Sequence, residues 1–301
     1  MRVTNGTLTG NYLRNLNRNL DQMQKTQNQL SSGKEVSRPS DNPMLVSKIM
    51  DFNSTISENE QYRLTIDSAM EWVDTADGAL GNVTDTLQRV RELVVSGANG
   101  TLSETERTAI ADEIRELSKQ VSDSLNTNFG GRYIFAGQKT TEPPFSVGAD
   151  GVMTYSGDEG NISREIAPNV GLAIMTNGLE LTTAEGTAAG NQSLGALLDN
   201  IAEALESGDT EAISGNLLGD LDKHMDNVTR FRSKMGAIYN RLEAAGERNE
   251  AQNLNLTEML SKSEDIDFAE KMMEYSTMSA IYEASLSSGA KILQKSLLDY
   301  L

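Results

Sequence analysis

Apolar positions recur in alternating steps of three and four along most of this chain, the period of helices that each bury one stripe. Leu13, Leu16, Leu20, Met23 and Leu30 form the first seam, with Gln27 as its polar lapse. Ser31-Ser32-Gly33 ends it, Gly33 standing where a helix C-terminus takes a left-handed residue. Pro39-Ser40-Asp41-Asn42-Pro43 then reads as a rigid connector, because proline fixes its own φ and biases its predecessor away from helix. The longest stripe follows: Ile66, Ala69, Val73, Ala76, Leu80, Val83, Leu87, Val90 and Val94, reaching back through Leu45, Ile49, Phe52 and Ile56. Ala98-Asn99-Gly100 breaks it, and Ser103-Glu104-Thr105-Glu106 reads as a capping box opening a helix with Ile110, Ile114, Leu117 and Val121 on one face. A short glycine-containing loop between two long helices predicts antiparallel neighbours.

Between about 138 and 190 the period shortens to two. Phe145 to Val147 and Val152 to Tyr155 flank Asp150-Gly151, a hairpin signal. Ile162, Arg164 and Ile166 alternate, as do Val170, Leu172 and Ile174, and Asn177-Gly178 before Leu179 and Leu181 reads as a second hairpin. Helix returns with Leu194, Leu198, Ile201 and Leu205, and again with Leu218, Leu221, Met225, Val228, Met235, Tyr239, Leu242, Leu256 and Leu260, interrupted by Arg232, Gly246, Asn249 and Asn253. The last helix carries Tyr275, Met278, Tyr282, Leu286, Leu293, Leu297 and Tyr300.

The nesting predicts a mainly α fold: an elongated rod of long antiparallel helices or coiled coil, with N- and C-termini paired at one end and a small β-rich insert domain. The expected boundaries are a terminal coiled-coil domain at 1–42 and 266–301, a helical rod domain at 43–137 and 191–265, and an outer β-rich domain at 138–190.

Charge sharpens this picture. The 301 residues carry a net charge of −18, which argues against a nucleic-acid partner. Residues 1–41 hold six basic and three acidic side chains, and residues 261–301 hold four basic and seven acidic, so the two ends are complementary. Such complementarity sets pairing and register more than affinity. Zero Cys and a single His, His224, exclude disulfides, thiolate metal sites and His clusters. His224 is expected on a helix surface or boundary, and Glu264-Asp265-Ile266-Asp267 as an acidic helix N-terminus, since it lacks the glycine and closing glutamate of a calcium loop. No nucleotide-binding glycine loop occurs, so no catalytic residue, metal ligand or cofactor is assigned. No stretch approaches the roughly 20 apolar residues of a membrane span, and Met1 to Gly6 shows no secretory signal core. Short isolated helices are marginal in water, so the apolar ends are expected to become ordered only when other subunits cover them.

Several segments in order resemble the flagellin family of flagellar axial proteins. These are Leu30-Ser31-Ser32-Gly33-Lys34 with Pro39 to Pro43, Gly130 to Gly137 with Pro144-Phe145, Asn240-Arg241-Leu242-Glu243, Glu264 to Asp267, Tyr282 to Leu286, and the closing Ser296-Leu297-Leu298-Asp299-Tyr300-Leu301. The stretches at Gly130–Gly137 and Ser296–Leu301 look most like members at the hook–filament junction, whereas Glu283 and Lys262-Ser263 depart from the usual pattern. The resemblance implies a non-enzymatic structural component of the bacterial flagellum, needed for motility. It implies export through the flagellar type III channel to an extracellular position at the hook–filament junction. The implied partners are sister copies in a ring, hook-associated protein 1, flagellin and a flagellar export chaperone, with no nucleic acid and no membrane. The assembly interface is expected at Leu13, Leu16, Leu20, Met23, Leu30, Tyr282, Leu286, Leu293, Leu297 and Tyr300. Filament-forming flagellin is the nearest alternative, and a cytosolic coiled-coil adaptor a more distant one.

Overall fold

The computed structural model describes residues 5–99, 102–148, 151–174, 177–188 and 190–293. Along the chain run α1 (Asn5–Ser32), α2 (Pro43–Gly97), α3 (Glu104–Leu125), the strands β1 (Asn128–Phe129), β2 (Arg132–Tyr133), β3 (Phe145–Val147), β4 (Met153–Tyr155), β5 (Ile162–Ala167) and β6 (Val170–Ile174), and the short helix α4 (Gly178–Thr182). Then come α5 (Leu194–Ser207), α6 (Thr210–Ala212) with a π-helical turn Ile213–Leu217, α7 (Leu218–Glu264) and α8 (Phe268–Leu293). The fold is mainly α with a small strand-bearing region, as the periodicity predicts.

Local chemistry sets the helix ends. Gly33 closes α1 at φ +73°, a conformation that costs a side-chain-bearing residue more. Asn42 caps α2 by accepting from the Leu45 amide at 3.2 Å, and Pro43 takes the first helical position, where a missing N–H does no harm. Ser103 and Glu106 form the expected capping box on α3. Asp267 caps α8, its Oδ1 accepting from the amides of Ala269 and Glu270 at 2.9 and 3.1 Å.

The chain separates into two compact units, one of residues 1–58 and 251–301, the other of 59–250. In the larger unit α2 and α7 run antiparallel, tied by Arg91 to Asp222 at 2.8 Å, Arg232 to Asp77 at 3.0 Å, and Asn249 to the Asn59 carbonyl at 3.0 Å. α3 returns along α2, with Arg89 pairing Glu113 at 2.8 Å. The core stripes meet there: Ile66, Leu80, Leu87 and Val90 of α2, Ile114 and Leu125 of α3, Leu197 and Leu205 of α5, and Leu221 and Leu242 of α7 are all buried.

The strands of this unit make three separate antiparallel pairs, β1–β2, β3–β4 and β5–β6. β3 and β4 form the expected hairpin, pairing Phe145 with Tyr155 and Val147 with Met153. The second hairpin differs from expectation. β6 pairs backward with β5 across Pro168-Asn169, Asn169 sitting at φ +60°, while Asn177 caps the one-turn helix α4 instead of starting a strand turn. Asparagine serves a helix N-cap as well as a hairpin turn, and here its Oδ1 accepts from the amides of Leu179 and Glu180. Phe135, Phe145, Met153, Ile166, Leu172 and Leu181 join the same apolar cluster as the helices. Trp72 of α2 meets Phe129 edge-on at 5.9 Å between ring centroids. Gly195 lets α5 approach β4 closely, because a Cβ there would run into the Met153 carbonyl oxygen.

Candidate assembly interface

In the smaller unit α1 and α8 pair antiparallel. The Tyr12 hydroxyl donates to the Ser285 carbonyl at 2.7 Å, and the Thr26 hydroxyl lies 3.8 Å from the Met278 sulfur. Tyr12 packs its hydroxyl onto Gly289, where any side chain would collide with it. At the far end the connector after α1 adds backbone bonds, Glu35 N–H to the Glu264 carbonyl at 2.7 Å and Ile266 N–H to the Gly33 carbonyl at 3.2 Å. The Gln29 side chain donates to the Glu35 carbonyl at 2.7 Å.

Charge contributes less than the complementary ends predict. Among the described residues two ion pairs cross this seam. Lys34 pairs with Glu264 in the expected sense. Lys271 pairs with Glu35 at 3.4 Å in the opposite sense, a C-terminal cation on an N-terminal anion. Burial disfavours the Lys271 charge, but Glu35 and Glu274 outweigh it and raise the ammonium pKa. Exposed pairs of this kind add little stability.

The apolar residues are distributed unevenly. Ile49 is the one buried apolar side chain of this unit among the described residues, whereas the larger unit holds the rest of the core. Of the sixteen large apolar side chains exposed among the described residues, eleven belong to this smaller unit: Leu13, Leu20, Met44, Met50, Leu254, Met259, Phe268, Met272, Met273, Ile281 and Leu286. α1 thus turns Thr26 and Gln29 inward and leaves Leu13 at 46% and Leu20 at 40% exposure. Leu16, Met23, Leu30 and Tyr282 are half-buried, and Leu286 is exposed. Leu293 ends α8, its side chain outside the described residues, as are Leu297 and Tyr300.

His224 departs from its expected place. It is 1% exposed on α7, inside the larger unit, with Nε2–H donating to the Asn191 carbonyl at 3.1 Å. Burial pushes its pKa below the ordinary 6.5, against the opposing pull of the Asn191 bond and the Asp220 charge. Asp220, also buried, accepts from the Ala188 amide at 3.0 Å, Asn191 Nδ2 at 2.8 Å and Lys223 Nζ at 2.9 Å. Its burial is outweighed by those bonds, and its pKa is lowered. Asn227 donates from Nδ2 toward the carbonyls of Glu180, Leu181 and Thr183. These side chains tie Glu180, Leu181, Thr183, Ala188 and Asn191 to α7. Spacing does not separate the two faces of α7: Leu221, His224, Val228, Phe231, Met235 and Leu242 keep the three-four step as well as a stripe through Met225 and Tyr239 does, and the structure buries Phe231 while it exposes Tyr239. No group of three or more His, Cys, Asp or Glu suited to a metal occurs among the described residues.

The smaller unit thus pairs its helices while leaving most of the exposed large apolar side chains on its own surface, and the larger unit holds nearly all of the buried ones. Comparison with known proteins gives the class. The family models for the bacterial flagellin N-terminal and C-terminal helical regions match residues 3–140 and 218–301, and the chain belongs to the flagellin family of structural flagellar proteins.

Within that family it is 28% identical over 303 residues to flagellar hook-associated protein 3 of Escherichia coli (strain K12), covering 95% of each chain. It is 28% identical over 304 residues to flagellin of Bacillus subtilis (strain 168), covering 98% of this chain and 97% of the other. Among solved structures it resembles flagellar hook-associated protein 3 from Legionella pneumophila, with a TM-score of 0.66 at 16% identity over 71% of this chain and 98% of that one. Bacillus cereus FlgL gives a TM-score of 0.58 at 26% identity over 70% and 99%.

Proposed function

We propose that this chain is the hook–filament junction protein of a bacterial flagellum, assembling as a ring between hook-associated protein 1 and the flagellin filament. The observation that carries the reading is the concentration of exposed apolar side chains on the terminal unit, which water penalises until a neighbour covers them. Leu13, Leu16, Leu20, Met23 and Leu30 on α1 form contacts with Tyr282, Leu286, Leu293, Leu297 and Tyr300 of the C-terminal segment, partly across subunits. In this reading residues 1–42 and 266–301 make the inner coiled-coil layer, 43–137 and 191–265 the surrounding helical layer, and 138–190 the outer surface. The chain passes unfolded through the flagellar type III channel, which the absence of Cys favours, and an export chaperone holds its C-terminal helix beforehand. The role is structural, with no catalytic step.

Filament-forming flagellin is the second reading, because the similarity to a flagellin spans nearly the whole of both chains. Deleting the gene separates the two. A junction role predicts non-motile cells that release unpolymerised flagellin into the medium, with hooks left bare. Loss of this chain with no other flagellin in the medium would instead identify it as the filament subunit.

A further inference from the structure

The exposed apolar surface is unusually sulfur-rich, and that composition gives it a chemistry of its own. Among the described residues, five methionines are exposed: Met44 at 85%, Met50 and Met273 at 66%, Met259 at 53% and Met272 at 52%. All five belong to the terminal unit, on α2, α7 and α8. The described methionines of the larger unit are placed differently. Met153 and Met235 are 3% and 1% exposed, and Met70 and Met225 are half-buried. Met23 and Met278 of the terminal unit are half-buried too, so thioether oxidation, which follows access, falls first on the five exposed methionines of the assembly surface and last on Met153 and Met235 in the core.

We infer that the five exposed methionines of the terminal unit are a modification site for hydroperoxides, and that their sulfoxidation blocks assembly of the free subunit while leaving the larger unit folded. The inference rests on the proposed assembly role. In the step, a sulfur lone pair attacks one peroxide oxygen and the O–O bond breaks. The sulfur gains one oxygen and loses two electrons, and the departing hydroxide collects the remaining proton to leave as water. A flexible apolar side chain becomes a polar one carrying a strong acceptor. On the free subunit this is harmless, since water solvates the new oxygen. Under a neighbouring subunit's apolar surface the oxygen loses that water without gaining a donor, which disfavours docking. Once the lattice has formed, the same residues are covered, so sensitivity belongs to the unassembled chain. Reduction of the sulfoxides by a thiol-dependent methionine sulfoxide reductase reverses the block.

The test treats the purified full chain with graded hydrogen peroxide, maps sulfoxides by peptide mass spectrometry, and measures incorporation onto isolated hooks that lack the chain. Expected are sulfoxides at Met44, Met50, Met259, Met272 and Met273 forming at least about tenfold faster than at Met153 and Met235. Incorporation falls by roughly tenfold or more while far-ultraviolet circular dichroism is unchanged, and reductases of both stereospecificities restore it. A chain with all five changed to Leu, a replacement of similar volume, incorporates after peroxide as it does before. Equal oxidation rates across the seven sites, or full incorporation by the oxidised chain, would overturn the inference. Failure of the untreated chain to incorporate would sink the junction reading instead. Should the fivefold variant not fold, reductase rescue of the unmodified sequence decides the matter.

Discussion

His224 shows how a single side chain couples to the fold through its proton. With Nε2–H engaged by the Asn191 carbonyl, Nδ1 is unprotonated and buried, without a partner among the protein atoms of the described residues. Protonating it places a charge in the core, and its pKa is lowered from 6.5 by that burial. Below about 6.5 the unfolded chain therefore binds more protons at this site than the folded one, so stability declines as pH falls through that value. Asp220 acts in a lower window, since its depressed pKa preserves its contribution until the pH drops below its ordinary 3.8 and then through the folded value. Urea unfolding of the larger unit should give a lower midpoint at pH 5.5 than at 7.5, and His224→Gln should flatten that slope. An unchanged slope in the variant would remove His224 as its cause. A lone polar residue on a helix usually lies near the surface, so the sequence alone points His224 outward. Asn191, whose carbonyl bonds it, comes from a distant segment whose position no periodicity encodes.

At the level of elements, helices and caps were legible because their signals are local. Gly33, Pro43, Ser103 and Asp267 act at the boundaries their chemistry predicts. Strand pairing was less so. Asn177-Gly178 carries the turn chemistry of both a hairpin and a helix cap, and what separates them is the close seat of Gly178 under the Phe135 carbonyl, a tertiary fact. Asn249 is a second case. It interrupts the α7 stripe, yet it is buried, donating to the Asn59 carbonyl while its Oδ1 and the Asn59 Nδ2 find no partner among the described residues. Buried polar residues at a helix seam restrict register at a cost in stability. Asn249→Leu should raise the thermal midpoint by a few degrees, because it removes a buried acceptor that lacks a donor. A fall equivalent to more than about 1 kcal/mol would show that the Asn59 contact outweighs that orphaned oxygen.

For the molecule as a whole, the two units divide the work of burial. The larger one holds nearly all of the buried apolar residues, from Ile66 of α2 to Leu242 and Ala245 of α7. The smaller one ties α1 and its connector to the C-terminal segment through Tyr12 to Ser285 and the Glu35 amide to the Glu264 carbonyl, and leaves Leu13, Leu20, Leu254, Leu286 and five methionines exposed. The three-four spacing marks the terminal seams, but it leaves open which face of each helix a lone chain covers. In the lone chain α1 presents Tyr12 and Thr26 to α8 and Gln29 to its own connector at Glu35, a rotation that a stripe of one helix does not determine. Leu20→Asp should therefore leave the unfolding midpoint of the larger unit unchanged and reduce incorporation onto hooks by at least about a hundredfold, since it buries an unpaired carboxylate. Normal swimming of cells carrying it would remove Leu20 from the interface.

The central claim, that the terminal helices are left uncovered in the lone chain and are buried by neighbours, is tested most directly by amide hydrogen exchange on the free chain and on the chain incorporated at hooks. The account predicts that α1 and α8 exchange rapidly in the free chain and slow by orders of magnitude on incorporation, with the α2, α3 and α7 amides of the larger unit changing little. Equal protection of α1 and α8 in both states would contradict it.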